Sequence, residues 1–518
     1  MESENTHSTL IIRADATARI GIGHVMRCLS LGESWAGEKK NFFLGQVENK
    51  TLVNRIKGNG FQFKSIPAVY PNPDDLSQTI GHLMRQRESL NDAQKQVVIL
   101  DGYQFDTHYQ KALRDSDRFT LVVDDMIHLS RYDADIILNQ SCIPHGKYYQ
   151  CNSNALILTG PKFRLIRNEF RNSASVFGGD NTSETNLLVF FGGADKRNAT
   201  LKVIRALQRL EKKHLQIKIL LGPVNRNKDR LKEELSNFPN GIEFVETVSD
   251  MASLFNWADI GVAAGGETSW EMAYMGLPLF LMALNDNQVS NVKALCDAGA
   301  AVSAGRLEDF SENNFLSLLD ELCSASEQRA NMSHKARQLV DGEGPNRIFR
   351  IVTAMNSRTV RSESLSLRPV STQDAHALYQ LAMNPDVRQN SFSPNPISYT
   401  HHLRWFHEKL NRKEDTVIWV LDLEGVVVGQ IRYDRHSAGH AEIDFSVHPA
   451  FRGLGFGSRL LDKTRSMAVK RLRVNRLKGV VFDSNQISRS CFIKSGYTAK
   501  IRSQIHARTC EVFEYRQG

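Results

Sequence analysis

The sequence predicts an α/β protein in which two doubly wound units, each built on a parallel sheet, are followed by an α+β unit. Three observations indicate this fold class: the length of the chain, the spacing of its short apolar segments, and a change of that spacing in the last third. With 518 residues the chain is too long for one hydrophobic core, so we expect two to four domains. Its 41% hydrophobic and 24% charged residues are typical of a globular protein.

The first predicted unit, residues 1–171, alternates short apolar segments with helical stretches. The apolar segments lie at 10–12, 97–100, 121–123 and 136–138. Apolar runs of this length between helices are typical of a parallel sheet that is buried on both faces.

The second predicted unit, residues 186–355, follows a polar segment at 172–186 and repeats the alternation. Its strands are expected at 187–191, 217–221, 242–245, 260–263 and 277–282, with helices at 199–213 and from Thr268. Two doubly wound units joined by a short linker place a ligand cleft between them.

The third predicted unit, residues 365–518, follows a second polar linker at 356–364. Its strands are expected at 365–369, 417–423, 426–433, 441–447, 477–482 and 512–515. Consecutive strands around a glycine-rich turn and a helix indicate an α+β domain.

Composition excludes several classes of protein. No stretch of about 18 apolar residues occurs, so we expect no membrane span and no membrane partner. Glu2 and Glu4 stand where a signal peptide has basic residues. Seven scattered cysteines predict reduced thiols, and we therefore expect a cytoplasmic protein.

The net charge of +8 is concentrated in the third unit. Residues 365–518 contain 23 basic and 14 acidic residues, whereas the rest of the chain contains 42 and 43. The third unit should therefore have the more anionic partner, either a nucleic acid or a phosphate-rich cofactor. The basic run at 463–478 has no interleaved aromatic residues for base stacking, which favours a solvated helix face over nucleic-acid binding.

A glycine turn follows the first predicted strand. Gly21 and Gly23 permit close approach of a ligand, and the amides that open the next helix favour an anion. His24 at this helix start is a candidate for facing the cleft, the alternative being a surface or capping histidine. Cys28 lies one turn further on, where a core cysteine is favoured over a metal pair with His24 because no third ligand is near in sequence.

Three turns of the second unit carry groups suited to a nucleotide. Each follows a predicted strand, so all should lie at one edge of the sheet, although glycine and asparagine are also common in ordinary turns. The candidate substrate-binding residues there are Gly193, Gly265, Gly266, Glu267, Thr268, Ser269, Glu271, Asn287, Gln288 and Asn291.

The segment Arg13-Ala14-Asp15, together with residues 20–29, resembles the opening signature of the UDP-sugar hydrolases of pseudaminic acid biosynthesis. The resemblance covers roughly residues 9–355. It implies a GT-B fold and hydrolysis of UDP-2,4-diacetamido-2,4,6-trideoxy-β-L-altropyranose, with inversion and without a required metal. It makes His24 the general base and places Arg13, Asp15 and Tyr103 at the substrate, although the Asp-Ser-Tyr motif of that family is Asp-Gly-Tyr here. The GT-B nucleotide motif falls on residues 265–271.

The third unit contains the pattern Arg-x-x-Gly-x-Gly where a strand meets a helix. This spacing cradles a pyrophosphate through backbone amides. A dinucleotide-binding unit is disfavoured because the turn follows meander strands. The candidate cofactor-binding residues are Val447, Arg452, Leu454, Gly455, Phe456, Gly457, Ser458 and Asn485.

With residues 483–485 and 490–497, this loop resembles the GNAT acetyltransferase superfamily over about residues 365–518. The resemblance implies acetyl-CoA as cosubstrate, with the loop amides on its pyrophosphate and Asn485 on its pantetheine. Phe492 stands where the family often has the tyrosine that protonates the leaving thiolate. Tyr497, one turn further on, is the candidate acid, the alternative being an aromatic packing position. Glu442 and Asp444 share one strand face and are candidate bases, the alternative for either being a solvated carboxylate.

Residues 367–369 and 384–388 also resemble the N-acetyltransferase of the same pathway, which acetylates the 4-amino group of the UDP-amino sugar. One chain would then carry two consecutive steps, with UDP-linked amino sugars and acetyl-CoA as partners. The alternatives are a GT-B glycosyltransferase fused to an acetyltransferase for another amine and, less favoured, a non-catalytic binding module.

Overall fold

The computed structural model describes the chain except for residues 1–7, 36–40, 67–71, 88–95, 142–148, 153, 174–183, 210–214, 223–224, 236–241, 247, 249, 437–438, 506–507 and 518. Most of the linker predicted at 172–186, and the end of the helix predicted at 199–213, therefore lie outside the described residues.

The first domain is a seven-stranded sheet in the order β3-β2-β1-β4-β5-β6-β7, with all strands parallel. The strands are β1 (Leu10–Ala14), β2 (Asn41–Gly45), β3 (Phe61–Ser65), β4 (Val97–Asp101), β5 (Phe119–Val123), β6 (Ile136–Asn139) and β7 (Leu156–Thr159). The helices are α1 (Gly23–Gly32), α2 (Lys50–Gly58), α3 (Asp75–Arg87), α4 (Thr107–Asp115) and α5 (Asn168–Arg171). The strand order reverses between β1 and β4, which in an open parallel sheet creates a crevice at the carboxyl ends of the strands.

The second domain repeats this design with six parallel strands in the order β10-β9-β8-β11-β12-β13. The strands are β8 (Thr185–Phe190), β9 (Leu215–Leu220), β10 (Ile242–Val245), β11 (Ile260–Ala264), β12 (Leu279–Ala283) and β13 (Ala301–Arg306). The helices are α6 (Ala199–Leu207), α7 (Lys228–Leu235), α8 (Met251–Trp257), α9 (Glu267–Tyr274), α10 (Asp286–Asp297), α11 (Glu312–Ser324), α12 (Ser326–Leu339) and α13 (Gly344–Ser357). Its strand order reverses between β8 and β11, and predicted nucleotide turns follow both of these strands.

The third domain is a seven-stranded mixed sheet in the order β14-β15-β16-β17-β18-β20-β19. The strands are β14 (Leu365–Pro369), β15 (Thr416–Leu423), β16 (Val426–His436), β17 (His440–Val447), β18 (Arg476–Phe482), β19 (Thr498–Ile505) and β20 (Arg508–Arg516). The helices are α14 (Ala375–Met383), α15 (Pro385–Gln389), α16 (Tyr399–Asn411), α17 (Phe456–Leu472) and α18 (Gln486–Lys494). The predicted fold class, two doubly wound α/β domains followed by an α+β domain, is confirmed.

The strands β17 and β18 are parallel but pair over only part of their length. Their register ends at Ile443 opposite Gly479, although β17 continues to Val447 and β18 to Phe482. The two strands therefore separate at their carboxyl ends, which leaves a gap in the sheet and exposes backbone groups to a ligand.

The helix α13 connects the domains. Most of it falls within the second predicted unit, residues 186–355, yet Ile348 and Phe349 belong to the hydrophobic core that contains α1 and β1. Phe349 also packs edge-on against Trp35 of the first domain, with 4.7 Å between the ring centroids. The same core continues into β15 and β16, so the first and third domains share apolar packing around this helix.

Candidate functional sites

His24 and Asp101 form a hydrogen-bonded pair at the strand reversal of the first domain. His24 is the second residue of α1, and Asp101 is the last residue of β4, paired with Ala14 of β1. The Nδ1 atom of His24 lies 2.6 Å from Oδ1 of Asp101. A carboxylate accepts hydrogen bonds, so Nδ1 carries the proton and the lone pair of Nε2 remains for another partner. The His24 side chain is 13% exposed, enough for a small molecule to reach it.

Arg27 fixes the Asp101 carboxylate from the next turn of α1. Its Nε and Nη2 atoms donate to the two carboxylate oxygens at 2.5 and 2.6 Å, and its Nη1 atom donates to Asp125 at 3.0 Å. Burial alone would raise the pKa of Asp101, but the Arg27 charge and the hydrogen bond from His24 outweigh it and lower the pKa to about 2. Asp101 is therefore an anion that orients the imidazole, a residue that the sequence analysis missed.

Tyr103 lies beside His24, and its contact with substrate stays a prediction. Its ring meets the imidazole edge-on with 5.4 Å between centroids, and its hydroxyl donates to Asp125 at 2.8 Å. Gly102 has a φ of +157°, and a Cβ there would lie 2.3 Å from the Gln104 side chain, so the departure from Ser to Gly suits this turn.

Arg13, Asp15 and Cys28 lie beneath the site rather than in it. Arg13 is fully buried and forms ion pairs with Asp15, at 2.5 Å, and with Asp75. Cys28 is also fully buried, and burial raises the pKa of its thiol. This burial argues against direct substrate contact by Arg13 and Asp15, which belong to an ion-pair cluster with Asp75 inside the domain. It also agrees with a core cysteine at position 28.

The turn after β11 presents an open helix start. Gly266 precedes α9, and no side chain caps the first amides of that helix. A Cβ at Gly265 would lie 2.5 Å from the Val292 side chain, so only glycine fits there. Free amides at a helix start bind anions, which suits a diphosphate. Thr268 is half-buried on this turn, and the buried Ser269 donates its hydroxyl to the Gly266 carbonyl.

Two predicted ligand carboxylates instead bind arginines of the segment that links the domains. Glu271 accepts from Arg167 at 2.6 and 2.8 Å, and Glu267 accepts from Arg164 at 3.0 Å. Each carboxylate oxygen of Glu271 thus accepts one hydrogen bond from Arg167 and has a second lone pair, so the contact of Glu271 with ribose stays a prediction. Arg164 also donates to Asn291 at 3.0 Å.

The remaining predicted residues of the second domain lie at the same edge of its sheet, where the strands end. Asn291 donates to the Gly265 carbonyl at 3.1 Å, and Gln288 accepts from the Leu284 amide at 2.9 Å. Asn287 and Gly193 are exposed, and the backbone of Gly193 approaches that of Gly222 so closely that a Cβ on Gly222 would lie 2.2 Å away. These residues shape the turns, while Asn287 is open to a ligand.

A cavity of about 1020 Å³ occupies the third domain where β17 and β18 separate. It contains most of the predicted acetyltransferase residues. Those that line it are Glu442, Val447, Arg452, Gly455, Phe456, Gly457, Ser458 and Asn485. Leu454 packs into the core instead, and Arg452 is held by Asp386 at 3.1 Å.

The glycine loop presents the first amides of α17 to this cavity. Gly453 and Gly455 have φ angles of +81° and +78°, a backbone conformation that favours glycine. A Cβ at Gly457 would lie 2.8 Å from the sulfur of Cys491, whereas one at Gly455 would point into open space. The loop is thus built for a ligand that contacts its backbone.

The candidate acid and base residues have different surroundings. Glu442 and Asp444 are half-exposed and line the cavity. Tyr497 is 3% exposed, packs against Phe492 and Tyr515, and does not line the cavity. This placement contradicts a general-acid role for Tyr497, because an acid must reach the departing sulfur atom.

Two parts of the chain match known families. Residues 187–343 match the Glycosyltransferase family 28 C-terminal domain, and residues 364–498 match the Acetyltransferase (GNAT) domain. The architecture is therefore two Rossmann-like α/β domains, consistent with GT-B, followed by a GNAT-like domain, and its acetyl donor is acetyl-CoA. Within the described part of the chain, each helix is too short or too polar to traverse a bilayer.

Relatives with similar sequences come from bacteria and an archaeon. The uncharacterized protein MJ1062 of Methanocaldococcus jannaschii is 23% identical over 80% of each chain. The spore coat polysaccharide biosynthesis protein SpsG of Bacillus subtilis is 24% identical over 38% of this chain and 58% of its own. A UDP-N-acetylglucosamine–N-acetylmuramyl-(pentapeptide) pyrophosphoryl-undecaprenol N-acetylglucosamine transferase of Bacillus cytotoxicus is 23% identical over 43% of this chain and 62% of its own. The chain thus spans less than two thirds of the latter two.

A solved structure of the ribosomal L7/L12 α-N-protein acetyltransferase RimL, in complex with coenzyme A, superposes on 30% of this chain and 95% of its own at 16% identity and a TM-score of 0.28. The family matches, taken together, support a bifunctional sugar-modifying enzyme whose substrates are a nucleotide sugar and acetyl-CoA.

Proposed function

We propose that the first two domains, residues 1–171 and 186–355, hydrolyse UDP-2,4-diacetamido-2,4,6-trideoxy-β-L-altropyranose to the free sugar and UDP, with inversion. We further propose that residues 365–518 acetylate the 4-amino group of its UDP-linked precursor. The observation that supports the hydrolase most strongly is the pairing of His24 with the buried Asp101 anion at the strand reversal.

In the proposed hydrolysis, the Nε2 atom of His24 accepts a proton from water as the water oxygen attacks the anomeric carbon. The bond between that carbon and the diphosphate oxygen breaks, and UDP leaves from the opposite face. Asp101 stabilises the imidazolium that forms, as a buried carboxylate does for a histidine base. The open amides at the start of α9 oppose the charge that grows on the diphosphate.

In the proposed acetyl transfer, the 4-amino nitrogen attacks the thioester carbonyl and coenzyme A leaves. Glu442 accepts the amine proton, with Asp444 as the neighbouring alternative, because both carboxylates line the cavity. Phe492 has no hydroxyl and Tyr497 does not line this cavity, so the thiolate takes its proton from another donor, either solvent or a hydroxyl of the cavity wall such as that of Ser490.

The decisive experiment supplies the purified chain with UDP-2-acetamido-4-amino-2,4,6-trideoxy-β-L-altropyranose and acetyl-CoA. We expect release of coenzyme A first and of UDP second, with UDP release dependent on acetyl-CoA. Chelation with EDTA should leave UDP release unchanged. Release of coenzyme A without UDP would contradict the hydrolase assignment.

A glycosyltransferase is the second candidate, because residues 187–343 match a glycosyltransferase family and the chain resembles N-acetylglucosamine transferases. That function predicts UDP release only when an acceptor alcohol is added. Hydrolysis in water alone separates the two candidates.

A further inference from the structure

Three potential metal ligands meet at the end of the β16–β17 hairpin where β16 leads into β17. His436 pairs directly with His440 across the two strands, and Glu442 lies two residues after His440, on the same face of the sheet. The two imidazole rings are stacked with 5.2 Å between centroids, and the Nε2 atom of His436 lies 3.3 Å from Oε2 of Glu442. One ligand atom from each of the three residues lies within 4.8 Å of the others.

Three arginines near the cluster are engaged with other carboxylates. Arg432 binds Asp434 at 2.7 Å, and Arg435 binds Asp415 at 3.1 Å. Arg476, which faces His440 from β18, is 3.9 Å from Glu514. Lys478 lies opposite Glu442 in the register of β17 and β18, so a metal ion would compete with this lysine for the carboxylate. The 54% exposure of the Glu442 side chain leaves room for water on such an ion.

The structure assigns to His436, His440 and Glu442 a binding site for a divalent transition-metal ion, with Zn²⁺ as the best match. Two ligands at about 2.05 Å and at a tetrahedral angle on one ion are about 3.3 Å apart, which is the spacing of the His436 and Glu442 atoms. Imidazole nitrogen favours Zn²⁺, Ni²⁺ or Cu²⁺, whereas Mg²⁺ and Ca²⁺ favour all-oxygen sets. Water completes the coordination.

Metal binding here inhibits acetyl transfer. Glu442 lines the acetyltransferase cavity and is the base of the proposed function. A carboxylate that binds a metal ion cannot accept the amine proton with the same lone pair. The inhibition depends on the proposed role of Glu442, whereas the binding of the ion does not.

The binding experiment titrates metal-free, full-length protein with Zn²⁺ by calorimetry and with Co²⁺ by visible absorption. We expect one site per chain, weakened at least tenfold in His436→Gln and in His440→Gln. The matched control is His407→Gln, which changes an exposed histidine of α16 outside the cluster and should bind as the wild type does. Wild-type affinity in both cluster variants, or no binding by the wild type, would overturn the site.

The second experiment measures the rate of coenzyme A release with and without Zn²⁺ for each variant. The ratio of the two rates is compared between variants, so a variant with a changed basal rate can still be interpreted. Zn²⁺ should slow the wild type and His407→Gln, and should affect His440→Gln much less. Binding without inhibition would overturn the inhibitory role and retain the site. Because the calorimetric titration needs no sugar, failure of the proposed acceptor does not affect it.

Discussion

At the residue scale, the pairing of His24 with Asp101 supports the chemistry proposed for the first domain. The hydrogen bond that one ring nitrogen of a histidine makes sets its tautomer, so the buried carboxylate holds the proton on Nδ1 and leaves the lone pair of Nε2 for the proposed role as base. Arg27 prevents that carboxylate from taking the proton, since it lowers the pKa of Asp101. The base is thus defined by three side chains from two elements.

Substitution of His24 by Asn removes the base while retaining a polar side chain of similar reach. We expect UDP release from the acetylated sugar to fall at least about a hundredfold, the usual contribution of a general base. Coenzyme A release should persist because the third domain has its own cavity. An unchanged rate of UDP release would show that His24 is not the base.

Substitution of Asp101 by Asn tests the supporting carboxylate. The amide cannot stabilise an imidazolium and can present its NH₂ group to Nδ1, which favours the wrong tautomer. We expect a large loss in the maximal rate of UDP release and little change in KM. Cys28→Ala is the matched control, since Cys28 also touches Asp101, at 3.4 Å, but has no part in the proton transfer.

The sequence identified His24 but not Asp101, because the two are 77 residues apart. Their proximity arises from strand order, with β1 next to β4 and the intervening strands on the other side. The same limitation explains why the sequence did not predict the ion pairs of Arg13, Asp15 and Glu271. They lie in motif positions, yet partners distant in sequence, such as Asp75 and Arg167, engage their charges.

At the scale of elements, the sequence predicted the buried central strands well and the edges less well. The central β1, β4 and β5 are fully apolar or buried, whereas the outer β3 has polar residues on its exposed face and shows no apolar run. The separation of β17 from β18 depends on where their pairing ends, and no local pattern encodes it. The glycine loop beside this gap was predicted because its spacing reflects a backbone requirement.

Gly455→Val tests that loop. The backbone there has a φ of +78°, and the valine side chain would extend into the space where a pyrophosphate contacts the amides. We expect calorimetric binding of acetyl-CoA to be lost while UDP release from pre-acetylated sugar continues. Gly60→Val is the matched control, because Gly60 has a φ of +81° and equally open space in the first domain. Wild-type affinity in Gly455→Val would contradict the loop assignment.

At the scale of the whole molecule, hydrogen bonds from the end of α13 hold the glycine loop of the third domain in place. Arg358, which follows α13, donates to the carbonyls of Ala450 at 2.7 Å and Arg452 at 2.5 Å. The sequence predicts that a fragment starting near Ser362 binds acetyl-CoA by itself. Such a fragment would lack Arg358, so the structure leads us to expect weaker binding than in the full chain.

Arg358→Ala in the full chain isolates this effect. Losing charge-assisted hydrogen bonds to the backbone of the loop should raise the KM for acetyl-CoA roughly tenfold, equivalent to about 1.4 kcal/mol. The rate of UDP release from pre-acetylated sugar should not change. Arg361→Ala, a nearby exposed position, serves as the control, and an equal effect of both variants would contradict a specific role for Arg358.

His448 makes the contact between the first and third domains sensitive to acid. Its Nε2 atom lies 3.1 Å from the Ala155 carbonyl of the first domain, and its Nδ1 atom accepts from the Ala450 amide at 3.3 Å. This arrangement requires a neutral ring, and burial lowers the pKa of His448 to about 4. The unfolded state, with an ordinary histidine pKa of about 6.5, therefore binds a proton first as the pH falls. The stability that the neutral ring provides is present above pH 6.5 and is lost as the pH falls toward 4.

Substituting His448 by Gln keeps a donor and an acceptor at this contact but removes the titration. The pKa difference corresponds to about 3 kcal/mol of stability, so the free energy of unfolding of the wild type should fall by about that much more than that of the variant between pH 6.5 and 4. Urea unfolding at several pH values measures the difference. His407→Gln, which changes an exposed histidine, should follow the wild type. Parallel pH profiles for the wild type and His448→Gln would show that His448 is protonated in the folded chain and that the contact with Ala155 does not depend on its neutral form.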